Sequence, residues 1–411
     1  MNIAFIAGRD MRVRDDTDGS TVLIRHLAEY LASRGHVLDI YIPDEYRGGA
    51  HQKEPLRAEE NWQITSANIR FVRFSSETPA QLPPHDTPEQ YFLNRLIISD
   101  KEAEYFSLNR LENYDCIYVF HVAHTFGLIS KGLLPLHKTV LFPMLLGTYY
   151  RQFMPVPDVY IQRERSILAH FRHISCASSA EVRSLIEDYG LPQHTSFVVG
   201  RGYDDNVFHP LERTSIDKSK PIHIICANSI RPQKGQDFFI SLVEYVHTRG
   251  IDLVIHLVGV NGKTHSPWYN EYAATITRNI SERGLERHFD FRQAVTQPEL
   301  AGVMEKCHLA FYPSVTETFG KSVLESTASG LPTIVFDDVP CFSDYLEDRQ
   351  TGMRVTRSVD AAYRAIEELA NNHALYASIS KNGIIRGEHY TWHHVLEKLR
   401  YAHKTHELPE L

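Results

Sequence analysis

The chain has 411 residues, a formal net charge of −8 and 43% hydrophobic residues. That length exceeds a single core, so two domains are expected. An acidic balance with no basic patch excludes nucleic acid as a partner, because phosphodiester backbones attract clustered Lys and Arg. The five cysteines (Cys116, Cys176, Cys226, Cys307, Cys341) are scattered without Cys-x-x-Cys spacing, which fits packing residues in a reducing cytoplasm. The first residues form a short strand rather than a secretory leader, and no run of 18 apolar residues exists. A cytoplasmic location is expected; peripheral membrane contact and oligomeric state stay open.

Strands and helices alternate along the chain, the pattern of doubly wound parallel sheets. Asn2–Ala7 reads as the first strand and residues 21–34 as an amphipathic helix with Leu23, Leu27 and Leu31 on one face. Residues 37–42 form the next strand, and residues 44–61 and 75–89 read as polar loops. Residues 116–120 and 139–142 are further buried strands. A polar stretch at 211–220 reads as linker. A second alternating series then begins: strand 222–227, helix 236–248, strand 253–258, helix 269–283 and strand 289–291. The domains expected are 1–205 and 206–388, with 389–411 crossing back as a helix onto the first.

The densest chemistry lies between residues 309 and 336. Leu309-Ala-Phe-Tyr-Pro313 reads as a buried strand, followed by a loop carrying Glu317 and Gly320. A helix from Lys321 to about Ser329 is stopped by Gly330 and Pro332, and another strand follows. Two carboxylates, Glu317 and Glu325, thus flank the C-terminal edge of a strand, where open parallel sheets bind ligands. Backbone N–H groups of Phe319, Gly320 and Lys321 open the helix and can meet phosphate oxygens. Glu325 is suited to ribose hydroxyls and Glu317 to those of a transferred sugar.

The segment resembles the signature of glycosyltransferase family 4, Pro-Ser-x-x-Glu-x-Phe-Gly-x-x-x-x-Glu-x-x-x-x-Gly-x-Pro. Pro313, Ser314, Glu317, Phe319, Gly320, Glu325, Gly330 and Pro332 match it in register. The resemblance implies an α/β GT-B fold, two Rossmann-like domains facing a central cleft, and retaining transfer of a hexose-type sugar. The donor implied is a nucleoside-diphosphate sugar, UDP-linked in preference to GDP-linked, with no metal and no further cofactor. The acceptor class stays open among glycans, lipid-linked and small-molecule acceptors.

Three further places depart from or extend the family pattern. In Cys226-Ala-Asn-Ser-Ile-Arg-Pro-Gln-Lys-Gly235, Lys234 and Gly235 match the family's phosphate-binding Lys-Gly. Ser229 stands where relatives carry Arg, and Arg231 could supply the missing guanidinium. In the loop after the first strand, Gly19 matches one of the family's two glycines. The nearby Asp16-Thr17-Asp18 has too few ligands for a metal site, and helix capping by Asp18 or Ser20 accounts for it better. At the end of strand 116–120, His121 or His124 could contact the donor sugar or guide the acceptor, because Pro143-Met144 stands where relatives keep a histidine.

The catalytic set expected is therefore Glu317, Lys234 and His121. Gly19, Ser229, Arg231, Lys234, Glu317, Phe319, Gly320, Lys321 and Glu325 are expected to bind the donor. The alternative is a non-catalytic sugar-nucleotide-binding subunit, which Ser229 favours and the Glu pair opposes. No Gly-x-Gly-x-x-Gly after a strand, no phosphate-binding Gly-x-x-x-x-Gly-Lys-[Ser/Thr] and no Gly-x-Ser-x-Gly occur, which removes dinucleotide oxidoreductases, P-loop NTPases and a common hydrolase class.

Overall fold

The computed structural model describes residues 1–7, 19–43, 66–74, 87–144, 146–260 and 267–411. The triplet Asp16–Asp18 and most of the expected loops at 44–61 and 75–89 lie outside these residues. The described chain forms two compact units, Met1–Gly200 with Val395–Leu411 and Arg201–His394.

The first unit holds seven strands: β1 Asn2–Ala7, β2 Val37–Pro43, β3 Ile69–Phe74, β4 Cys116–Phe120, β5 Thr139–Phe142, β6 Ile174–Cys176 and β7 Ser196–Val198. They form one sheet in the order β3-β2-β1-β4-β5-β6-β7, with every pair parallel. Parallel strands covered on both faces read as continuous apolar runs, and β4 and β5 are buried at every position. Phe120 stacks on Phe142 with centroids 5.0 Å apart.

The second unit holds β8 Ile222–Ala227, β9 Leu253–Val260, β10 Phe289–Gln293, β11 Leu309–Tyr312, β12 Thr333–Phe336 and β13 Met353–Val355. Their order is β10-β9-β8-β11-β12-β13, again parallel. In each sheet the winding direction reverses once, between β1 and β4 and between β8 and β11. Loops leaving the two strands at such a point diverge and leave room for a ligand.

Two expectations need correction. The expected loop 75–89 gives way from Pro88 to a 21-residue helix, Pro88–Leu108, and β3 adds a strand the sequence analysis does not name. The helix buries polar Asn94, Ser99 and Glu102 beside Phe92, Ile98 and Phe106, which blurs its apolar stripe. The stretch 211–220 is no free linker. Leu211 N–H donates to Ser329 O at 3.1 Å, and the Arg213 guanidinium caps the carbonyls of Cys307 at 2.6 Å and Met304 at 2.9 Å.

The last helix, Trp392–Thr405, belongs to the first unit from Val395 onward. Tyr30 Oη and Arg34 both donate to Glu397 Oε1, at 2.7 and 2.8 Å. His403 is buried with Nε2 2.8 Å from Tyr118 Oη and Nδ1 2.8 Å from Pro409 O. A neutral ring satisfies both contacts: Nδ1–H donates to the carbonyl and Nε2 accepts from the phenol. Burial pushes its pKa down to about 4.

Candidate active site

The reversal point of the second sheet gathers the charged residues. After β8 the chain makes a tight loop, 228–236, closed from inside by the fully buried Gln236 side chain. Its Nε2 donates to Ser229 O at 2.9 Å, and its Oε1 accepts from Arg231 N at 3.4 Å. After β11 a second loop, 313–320, leads into the helix Lys321–Ala328. The two loops are joined by their backbones: Val315 N–H donates to Gln233 O at 2.8 Å. Gly235, at φ +64°, faces Pro313 O so closely that a Cβ has no room.

Lys234 and Glu317 meet across this junction. Lys234 Nζ donates to Glu317 Oε1 at 2.5 Å, and Ser314 Oγ donates to the same oxygen at 3.1 Å. The Glu317 side chain is 9% exposed and that of Lys234 18%, so the pair is sheltered yet reachable. An ammonium carries three donors; among the described residues Glu317 alone engages one of them, which leaves two for another anion.

Eight residues on, Glu325 is 2% exposed. Burial raises its pKa, and the Lys321 ammonium, bonded to Oε1 from one helical turn earlier, opposes that rise. The Lys321 ammonium also lies 5.9 Å from the Phe208 ring centre. Gly320 precedes the helix at φ +81°, and Phe342 and Tyr345 fill the space a side chain would take. Tyr345 Oη donates to the carbonyls of Phe319 at 2.8 Å and Gly320 at 3.0 Å. The helix start has no side-chain cap. Its N–H groups at Phe319, Gly320 and Lys321 donate to no described residue, which is the arrangement an anion fits.

The other expected residues are placed as follows. Phe319 is buried against Tyr345 and Tyr390, so its side chain packs while its backbone lines the loop. Ser229 shares the Lys234 loop and contributes its carbonyl to the Gln236 clamp. The Arg231 guanidinium rests over Tyr269, 5.1 Å from the ring centre, with Nε buried and without a hydrogen-bond partner among the described residues. Gly19 and His121 belong to the first unit; Gly19 begins the helix Gly19–Ser33.

His121 follows β4 at φ +84°, an uncommon conformation for a side-chain-bearing residue. It is buried, with Nδ1 accepting from Ala123 N–H at 3.0 Å and Nε2 2.9 Å from Arg95. Burial, then the Arg95 charge, holds its pKa well below the usual imidazole value, so the ring is neutral. His124 pairs instead with Glu102 at 2.7 Å.

Lys321 and Glu325 are both among the expected residues, but their ion pair is not, although i,i+4 spacing is itself the signal for one on a helix face. One contributor is absent from the sequence reading. Arg357 bonds the carbonyls of Pro313 and Ser314, and nothing in its local sequence announces that.

The family comparison follows the same division. Residues 209–386 match the model for glycosyl transferases group 1, and residues 18–202 match the glycosyl transferase 4-like domain. The chain belongs to glycosyltransferase family 4. Among curated relatives of this transferase is mannosylfructose-phosphate synthase from Agrobacterium fabrum, 24% identical over 78% of this chain and 71% of that one. D-inositol 3-phosphate glycosyltransferase from Paenarthrobacter aurescens is 23% identical over 92% and 90%. Among solved structures, sucrose-phosphate synthase from Thermosynechococcus elongatus superposes with a TM-score of 0.78 at 16% identity, covering 98% of each chain. Anabaena HepE in complex with UDP and glucose gives 0.71 at 15% identity, covering 98% of this transferase and 100% of HepE. These likenesses establish the GT-B fold. Among the described residues no helix is long and apolar enough to cross a membrane, and no three or more His, Cys, Asp or Glu side chains converge as a metal-binding set.

Proposed function

We propose that the transferase takes a UDP-sugar on its second unit and transfers the sugar with retention of anomeric configuration. The observation that carries the reading is the Lys234–Glu317 pair at the β8/β11 reversal, next to an uncapped helix start. The binding of UDP and glucose by HepE supports uridine as the base. In this reading the diphosphate lies against the N–H groups of Phe319, Gly320 and Lys321 and the ammonium of Lys234. Glu325 accepts from the ribose hydroxyls and Glu317 from hydroxyls of the sugar.

The chemistry follows from where charge develops. Cleavage of the bond between the anomeric carbon and the phosphate oxygen leaves its electron pair on the diphosphate. Donors fixed in advance around that oxygen stabilise the transition state more than the ground state. An acceptor hydroxyl then bonds the anomeric carbon from the same face, and its proton passes to the departing phosphate oxygen. In this scheme cationic side chains and the helix start neutralise the diphosphate, and a metal ion is not required. Glu317 orients the sugar and, by holding one Lys234 proton, fixes the direction of the other two.

The test is a panel of UDP-, GDP- and ADP-sugars, read first as thermal protection and then as nucleotide release. A ligand that binds only the folded state stabilises by about 2.7 kcal/mol at one hundred times its Kd. UDP-sugars are expected to protect best and to be turned over, with an axial product linkage from an axial donor by NMR. Protection without turnover across a set of hydroxylated acceptors would instead identify a binding subunit. An inverted product would contradict retention.

A further inference from the structure

Arg357 spans three neighbouring strand ends. It follows β13, and its guanidinium lies 4.2 Å from the ring centre of Phe336, the last residue of β12. Asp338, just beyond β12, takes two of its donors: Nε to Oδ2 at 2.7 Å and Nη2 to Oδ1 at 2.7 Å. The outward edge reaches the loop after β11. Nη1 donates to Pro313 O at 3.0 Å and Nη2 to Ser314 O at 2.6 Å. The guanidinium is a planar fork, so fixing one edge on Asp338 fixes the direction of the other.

The two carbonyls it holds begin the loop that carries Glu317. The opposite side of that loop is held by Gln233 O, which accepts from Val315 N–H, and by the close passage of Gly235 past Pro313 O. Segment 313–317 is therefore clamped between the Lys234 loop and Arg357. We propose that Arg357 is a positioning residue for the transfer reaction: it sets the register of Glu317 against Lys234 through the Pro313 and Ser314 carbonyls. The inference rests on the reading of that pair as part of the donor site. Arg357 touches neither Glu325 nor the helix start at Gly320, so it governs placement at the sugar end and leaves nucleotide binding alone.

Two measurements test this, one of them independent of any substrate. In the free protein, hydrogen exchange of peptides covering residues 313–320 is compared in wild type, Arg357→Met and Arg357→Lys. Faster exchange is expected in Arg357→Met and an intermediate rate in Arg357→Lys, which keeps the charge and can reach one carbonyl. Unchanged exchange in Arg357→Met would overturn the proposal. The second measurement is UDP release from UDP-glucose, with Glu317→Ala as reference. A misplacement near 1 Å can lower rates about 100-fold. Arg357→Met is expected to lower kcat by roughly 30-fold with KM within about threefold, and Arg357→Lys to recover part of the loss. If Glu317→Ala abolishes turnover while Arg357→Met leaves kcat unchanged, the positioning role fails and the donor-site reading stands. If Glu317→Ala itself leaves turnover unchanged, the donor-site reading fails, and the exchange rates alone decide whether Arg357 orders the loop. Should Arg357→Met fail to fold, Asp338→Asn, which releases the anchored edge of the fork, takes its place with the same expected signs.

Discussion

The two sheets reverse direction at equivalent places, yet they treat the polar groups there in opposite ways. At the β8/β11 reversal, Lys234 and Glu317 meet as a sheltered ion pair that solvent still reaches. At the β1/β4 reversal, His121 is buried and held neutral. The same contrast extends further into the first unit. Glu164 is fully buried, accepts from Gly147 N–H at 2.9 Å and from Tyr189 Oη, and has its pKa raised by burial to about 7. In the second unit the Lys234–Glu317 pair sits just past two strand ends, where solvent still reaches it. In the first unit His121 and Glu164 are buried within hydrogen bonds, and burial disfavours the charged form of each. Low dielectric makes that effect strong and makes an unpaired charge expensive.

The largest effect is expected from removing the ammonium of the exchangeable pair. Lys234→Ala should lower nucleotide release by about 100- to 1000-fold, the size found when one preorganised donor to a developing anion is lost. Retention of full activity would make the pair structural.

The next effects are on stability, with opposite signs at two buried groups of the first unit. Glu164 binds its proton more tightly folded, near 7, than unfolded, near 4.5. Its contribution is fully present below pH 4.5 and is lost as pH rises to 7, on the order of 3 kcal/mol if the shift is fully expressed. Glu164→Gln should flatten the fall in thermal midpoint across that window. His403 has the reverse sense, with its folded pKa near 4 and its ordinary value 6.5. Its contribution is present above pH 6.5 and is lost as pH falls toward 4. His403→Gln should remove that acid-side loss, and melting curves between pH 4 and 7 check both.

A smaller effect is expected at Lys321. With Lys321→Met the buried Glu325 loses its cation. UDP affinity by calorimetry should fall by about tenfold, the weight of one charge-assisted hydrogen bond. The turnover number at saturating donor should change little. A loss in turnover as large as that of Lys234→Ala would show that both pairs act on the departing diphosphate.

Much of the second unit was legible because its signals are local. Buried parallel strands read as short apolar runs, and the Glu317–Gly320–Glu325 spacing lies within one strand-loop-helix unit. The helix Pro88–Leu108 was not legible, because Asn94, Ser99 and Glu102 are buried and interrupt its apolar stripe. The docking of residues 211–213 was hidden for another reason: a polar stretch looks like linker until the carbonyls it caps are known. Arg357 is the extreme case. Its partners Pro313 and Ser314 lie 44 and 43 residues away, so only the folded sheet brings them together.

Glu317→Gln offers the most direct test of the central claim, because it keeps the side chain's size and removes its charge. The measurement is UDP release from UDP-glucose alongside UDP binding by calorimetry. The account predicts a fall in turnover of about 100-fold or more, with UDP affinity within roughly threefold of wild type. Turnover within threefold of wild type would contradict it.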